Sequence, residues 1–208
     1  MPFGYTGQNQ PNQTVSNSGV FSITDVAELQ SQGKLGGSLE FIAEQTVTSM
    51  TSAVDFTDVF TDKYDVYFLE TKKVQSNTTG YTVGVQFYES GVLESAGVYQ
   101  YAFQGARTTP LFFEARSTTE AWIHIGGDTD TTSANSSNSY TYIYNPTNSS
   151  KYTFLTTQSS AQFGTTANMR FGSGVLPQAS DVDGFRLRST YPTGQITGEF
   201  SLYGIAES

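Results

Sequence analysis

From residue 38 onward apolar residues recur at every second position, and this period constrains the fold more than any other feature of the chain. Leu39, Phe41 and Ala43 alternate with Glu40, Ile42 and Glu44; Val54 and Phe56 follow, then Tyr64, Val66 and Phe68. In YTVGVQFY, Tyr81, Val83, Val85 and Phe87 share one face. A period of two places successive side chains on opposite faces of a strand. Further short runs are VYQYAF (98–103), TPLFFEA (109–115), AWIHI (121–125), SYTYIY (139–144), KYTFLTT (151–157) and MRF (169–171), with Gly, Asn and Ser between them. FRLRSTYPTGQITGEFSLYGI (185–205) reads as a closing hairpin. In it Phe185 and Leu187 oppose Ile196, Phe200 and Leu202, and the chain turns through Tyr191-Pro192-Thr193-Gly194. Strands at this spacing predict an all-β chain, an antiparallel β-sandwich or jelly roll rather than βαβ units. Composition agrees: charged residues are only 14 % and aromatics reach 14 %, which suits pleated, half-buried surfaces.

The first part of the chain lacks this period. Residues 1–20 are polar and rich in Gln and Asn, too poor in apolar groups to offset their own ordering entropy. They predict a disordered terminus or an extended arm that orders against a neighbouring subunit. Residues 21–36 predict a short capped helix. Ser22 is the N-cap, Asp25 its capping-box partner, and Phe21 and Val26 have the spacing of a hydrophobic staple. Val26 and Leu29 mark its buried face and Gly33 its C-terminal stop. A helix this short needs a surface to pack on, so Val20, Phe21, Val26 and Leu29 are the candidate assembly residues. Residues 37–208 form the sandwich domain.

Net charge is −9, and the ten Lys and Arg are scattered. Nucleic acid, which needs clustered cations, is not an expected partner. No apolar run is long enough to span a membrane, and MPFGYTGQNQ has neither the basic nor the apolar region of a signal peptide. The chain has no cysteine, so disulfides and Cys-based metal sites are excluded.

Candidate chemistry is sparse. His124 is the only histidine; any Ser-His-Asp arrangement would have to use it, and its alternation with Ile123 and Ile125 reads instead as structural or surface. Asp128 with Asp130, and Asp181 with Asp183, are each able to offer oxygens to calcium, but neither pair follows an EF-hand loop and Asp is common in turns. Glu89, Glu94, Glu114 and Glu120 are candidates for glycoside hydrolysis only by default. No catalytic residue, metal or cofactor is assigned. GGDTDTTSANSSNS (126–139) is low in complexity and predicts a long exposed loop. Tyr140, Tyr142 and Tyr144 alternate along one strand, where they could line the rim of the core, stack sugar rings or fill a protein interface.

Three blocks carry a resemblance. SGVFSITDVAELQSQGKLGG (18–37), DKYDVYFLETKKVQSNTTGYTVGVQFYESG (62–91) and GVLPQASDVDGFRLRSTYPTGQITGEFSLYGI (174–205) resemble, in content and order, segments of structural domains in tailed bacteriophages, marine ones especially. LYGI at 202–205 is the most specific element; Phe21 stands where that family more often has tryptophan. The resemblance implies a non-enzymatic virion subunit of tail, fibre or capsid-decoration type, assembled in the host cytoplasm, with neighbouring virion proteins as partners. It carries over no catalytic residue. Copies of the chain itself are the other expected partners, a homotrimer favoured. The alternative function is recognition of host surface glycan through Tyr140, Tyr142, Tyr144 and the 126–139 loop.

Overall fold

In the computed structural model, residues 24, 26–28, 39–109 and 111–206 are described. Two compact units emerge, residues 41–205 and a smaller one of residues 1–40 with 206–208. In the smaller unit Thr24 and Val26, Ala27 and Glu28 are helical. The expected arm and Val20, Phe21 and Leu29 lie outside the described residues. Val26, expected on a face that packs on a neighbouring surface, is 41 % exposed in the isolated chain.

Two antiparallel sheets build the sandwich. The larger has eight strands in the order β1 (Leu39–Thr51), β13 (Ile196–Ile205), β3 (Val66–Ser76), β9 (Ser137–Tyr144), β10 (Tyr152–Phe163), β11 (Thr166–Ala179), β6 (Tyr99–Arg107) and β7 (Leu111–Glu120). The smaller runs β2 (Val54–Phe56), β12 (Val182–Ser189), β4 (Val83–Glu89) and β5 (Val92–Leu93), and β8 (Ile123–His124) also pairs with β4. Val85 and Phe87 on β4, with Phe185 and Leu187 on β12, face Leu69 on β3 and Ile196, Phe200 and Leu202 on β13, all fully or almost fully buried. Phe56 stacks on Phe185 with ring centroids 4.8 Å apart.

Two tyrosines can enter this core because their polar tips are satisfied. The Tyr67 hydroxyl donates to the Thr61 carbonyl at 2.8 Å and accepts from the Thr61 amide at 2.7 Å. The Tyr99 hydroxyl donates to the Glu94 carbonyl and accepts from the Phe87 amide, both at 2.8 Å.

Three expectations change. Residues 185–205 are not a hairpin: β12 belongs to the five-stranded sheet and β13 to the eight-stranded one. The turn at Tyr191 to Gly194, closed by the Gly194 amide on the Tyr191 carbonyl at 2.9 Å, carries the chain from one sheet to the other. Phe185 and Leu187 do oppose Phe200 and Leu202, but across the core rather than along a ladder. On β3 the buried residues are Tyr67, Leu69, Thr71, Val74 and Ser76, whereas Val66 and Phe68 turn outward. Both parities carry aromatic residues there, so alternation could not choose between them. On β1, Leu39 and Phe41 are 48 % and 61 % exposed, and Ile42, Ala43 and Val47 pack on the core.

Candidate functional site

The outer face of the eight-stranded sheet inverts the usual partition of residues. On β9, Ser137, Ser139, Thr141 and Ile143 point into the sandwich and are buried, while Tyr140, Tyr142 and Tyr144 point out. On β10, Thr153, Leu155, Ser159 and Ala161 are buried, and Tyr152 and Phe154 are 45 % and 46 % exposed. Small polar side chains inside and aromatics outside contradict the pattern of a strand whose outer face meets only water. The buried hydroxyls are accommodated by bonding one another: Thr71 Oγ1 to Ser139 Oγ at 2.8 Å, and Thr141 Oγ1 to Thr157 Oγ1 at 3.0 Å.

The cross-strand register shows how wide this face is. Tyr142 lies opposite Thr156 and Phe68, Gln158 opposite Tyr140 and Phe171, and Phe171 opposite Gln104. Phe68 sits at the centre of an aromatic group, with ring centroids 5.2 Å from Tyr142, 6.2 Å from Tyr140 and 6.1 Å from Tyr203; Phe41 reaches Tyr203 at 5.8 Å. The Tyr140 hydroxyl donates to Gln158 Oε1 at 2.6 Å, and Tyr144 bonds Thr156 at 3.1 Å, which ties both hydroxyls to β10. The expected tyrosines therefore share one platform, and of the three Tyr140, 40 % exposed, is the most open. Sequence reasoning did not single out its other members, Phe68, Phe154, Met169, Phe171 and Tyr203, because they come from different strands that only the sheet order brings together. Shallow depressions cover the same face. One is about 610 Å³ and includes Gln100, Ala102, Phe154 and Val175 in its walls. Another, about 540 Å³, lies between Phe112, Met169 and Phe171.

The candidate reactive groups are spent on structure. His124 Nδ1 lies 2.8 Å from Thr82 Oγ1, and its ring packs on Tyr101 at 4.6 Å. Burial, helped by the positive charge of Arg170, pushes its pKa down to about 4, so the imidazole is neutral near pH 7. Residues 126–130 are buried, in contrast to the expected exposed loop, and only 131–134 are fully open. The reason is Asp128 and Asp130. Asp128 is ion-paired with Arg170 and, at 3.1 Å, with Arg107, and accepts from Asn168 Nδ2 at 3.2 Å. Asp130 accepts from Asn135 Nδ2 at 2.9 Å and from the amides of Gly164 and Thr132 at 2.5 and 3.0 Å, which hold its carboxyl well below the usual carboxylate range. The Asp181 and Asp183 carbonyls accept backbone amides from Ser90 and from Val59 and Phe60. Among the described residues no three His, Asp or Glu converge as metal ligands.

The four glutamates do not form one site. Glu89 ends a strand of the small sheet, Glu114 pairs with Arg116 at 3.5 Å, Glu94 accepts from Gln178 at 3.2 Å, and Glu120 bonds the Ala121 amide. Comparison with family models, with curated proteins and with solved structures finds no match to this chain.

Proposed function

We propose that this chain is a non-enzymatic structural subunit of an assembled particle, with its sandwich as the rigid body and its N-terminal residues as the attachment. The virion of a tailed bacteriophage is the setting implied by the resemblance of residues 18–37, 62–91 and 174–205. One observation carries the assembly reading: aromatic side chains stand outside β9 and β10 while small hydroxyl residues fill the inside. An exposed apolar patch that spans a whole sheet face marks a contact surface.

Deleting residues 2–18 is expected to leave the sandwich folded, by circular dichroism, and to abolish incorporation into particles. Normal incorporation of the shortened chain would remove the arm from the reading. A second reading, recognition of a neutral host glycan, is favoured by the Phe68, Tyr140, Tyr142 and Tyr203 platform with Gln158 beside it. Rings of this kind stack on sugars while amides bond hydroxyls. A glycan array probed with the full chain separates the two, since a purely structural subunit leaves every spot unlabelled.

A further inference from the structure

We infer that two copies of this chain pack face to face through the β6, β7 and β11 end of the large sheet, each inserting Phe112 into the other's groove. The inference rests on the assembly reading above and names its contact.

Phe112 is 88 % exposed, the most exposed large apolar side chain among the described residues, and Leu111 beside it is 46 % exposed. Phe112 is also one wall of the groove of about 540 Å³ whose opposite wall is Met169 and Phe171 and whose floor includes Ala106 and Gln104. Register explains the shape: Ala106 lies between Phe112 on β7 and Met169 on β11, so a methyl group is flanked by two large side chains. A knob that forms the wall of its own socket suits a twofold contact. Turning a second copy by half a rotation puts the partner's Phe112 into this groove and this Phe112 into the partner's. Such isologous pairing closes on itself and uses one patch on both copies.

Charge supports a copy of the same chain as the occupant. The protein carries −9 overall, which opposes self-association at most surfaces. Yet the outward positions of β9, β10, β11 and β6 hold no charged residue: Asn138, Tyr140, Tyr142 and Tyr144, then Phe154, Thr156, Gln158 and Ser160, then Met169, Phe171, Ser173 and Val175, then Gln100, Ala102, Gln104 and Ala106. On β7 the outward positions carry Glu114, which also lines the groove, and Arg116, 3.5 Å apart, and at the far margin Glu70 pairs with Lys72 at 3.2 Å. These charges cancel, so the face has no net charge with which to attract a polyanion. Leu111, Phe112 and Met169 bring hydrocarbon without polar tips, which suits protein packing better than sugar stacking.

Size sets the strength of the contact. Strands β11, β6 and β7 at roughly 4.8 Å spacing and about 30 Å of length give on the order of 400 Å² of sheet, about half of the ~800 Å² per partner in a standard interface, which puts the dimer at the weak end of specific contacts. A buried aromatic seated in a pocket is the usual energetic centre of such contacts. A twofold contact differs from the homotrimer expected from the sequence, and the oligomeric state decides between them.

The test is sedimentation velocity of the full chain over a concentration series, with Phe112→Asp and Phe112→Leu beside it and circular dichroism as the check on folding. The expected result is a dimer that Phe112→Asp weakens at least 100-fold and Phe112→Leu by no more than about tenfold. If Phe112→Asp loses its fold, Ala106→Glu, which places a charge on the groove floor, reads the same contact. A trimer, or a dimer indifferent to these substitutions, overturns the contact while leaving the assembly reading standing. Loss of the dimer on deleting residues 2–18, with Phe112→Asp silent, overturns it in favour of the arm as occupant. A chain that stays monomeric at all concentrations overturns it outright, and if it also fails to enter particles the assembly reading falls with it.

Discussion

Because the chain has a single histidine, the pH dependence of its stability near neutrality isolates one buried side chain. Burial and the nearby Arg170 hold the His124 pKa at about 4, against 6.5 for a free imidazole. In the unfolded chain His124 takes up a proton as pH falls through 6.5; in the folded chain it does not until about pH 4. The unfolded state thus binds more protons across this window, and stability falls as pH falls. At about 1.4 kcal/mol per pKa unit, the full loss is about 3 kcal/mol. Roughly 2 kcal/mol of it comes between pH 7 and pH 5. That is a sizeable part of the ~5–15 kcal/mol that holds a domain together.

Carboxylates do not confuse this window. Asp130, held low by its hydrogen bonds, and Asp55, held low by Arg186 and Tyr88 against the opposing effect of burial, begin to cost stability only as pH approaches the ordinary carboxylate range near 4. Urea unfolding at pH 7, 6 and 5, followed by the fluorescence of the single tryptophan, Trp122, and by circular dichroism, gives the slope. His124→Gln is expected to be less stable at pH 7 but nearly flat between pH 7 and 5. Parallel slopes in the two proteins, or no loss in the parent chain by pH 5, would refute the burial argument.

Asp128→Ala leaves the Arg170 guanidinium, whose side chain is only 9 % exposed, without its carboxylate. A loss of about 3–5 kcal/mol is expected, and a loss below about 1 kcal/mol in urea titrations would mean that Arg170 reaches solvent. Gly184→Ala would place a methyl carbon 2.3 Å from the Phe56 carbonyl oxygen, where β12 crosses β2. Backbone cannot yield as a side chain can, so about 1–3 kcal/mol of destabilisation is expected, visible as a lower melting temperature; an unchanged one would show that β2 moves aside.

The fold class was legible because alternation survives wherever one face meets the core: Val83, Val85 and Phe87 are buried as their spacing predicts. The same signal failed on β3 and β9, where both faces carry large side chains or the small ones lie inside. A period of two says that neighbours point in opposite directions; it does not say which direction is in. Nor does it say which sheet a strand joins, so the arch at 185–205 read as a hairpin. GGDTD looked like solvent-exposed low complexity because its burial depends on Arg107, Arg170 and Gly164, distant in sequence. The spacing did place His124 on the face opposite Ile123 and Ile125, which bury fully. Of the candidate surface, three tyrosines were visible locally; the remainder appears only when β3, β10, β11 and β13 are laid side by side.

The arch has a consequence for how the protein is made. β1 lies at the edge of the large sheet with β13 as its neighbour, and β2 lies at the edge of the small one with β12 as its neighbour. β1 and β2 therefore have no strand partner until residues 182–205 have left the ribosome. The sandwich cannot close before β12 and β13 are made, and the loops closed in that step are long, which makes the search slow. A nascent chain stalled near residue 180 would present an orphaned β1 and β2 to its surroundings, the state in which chaperone capture or aggregation is decided.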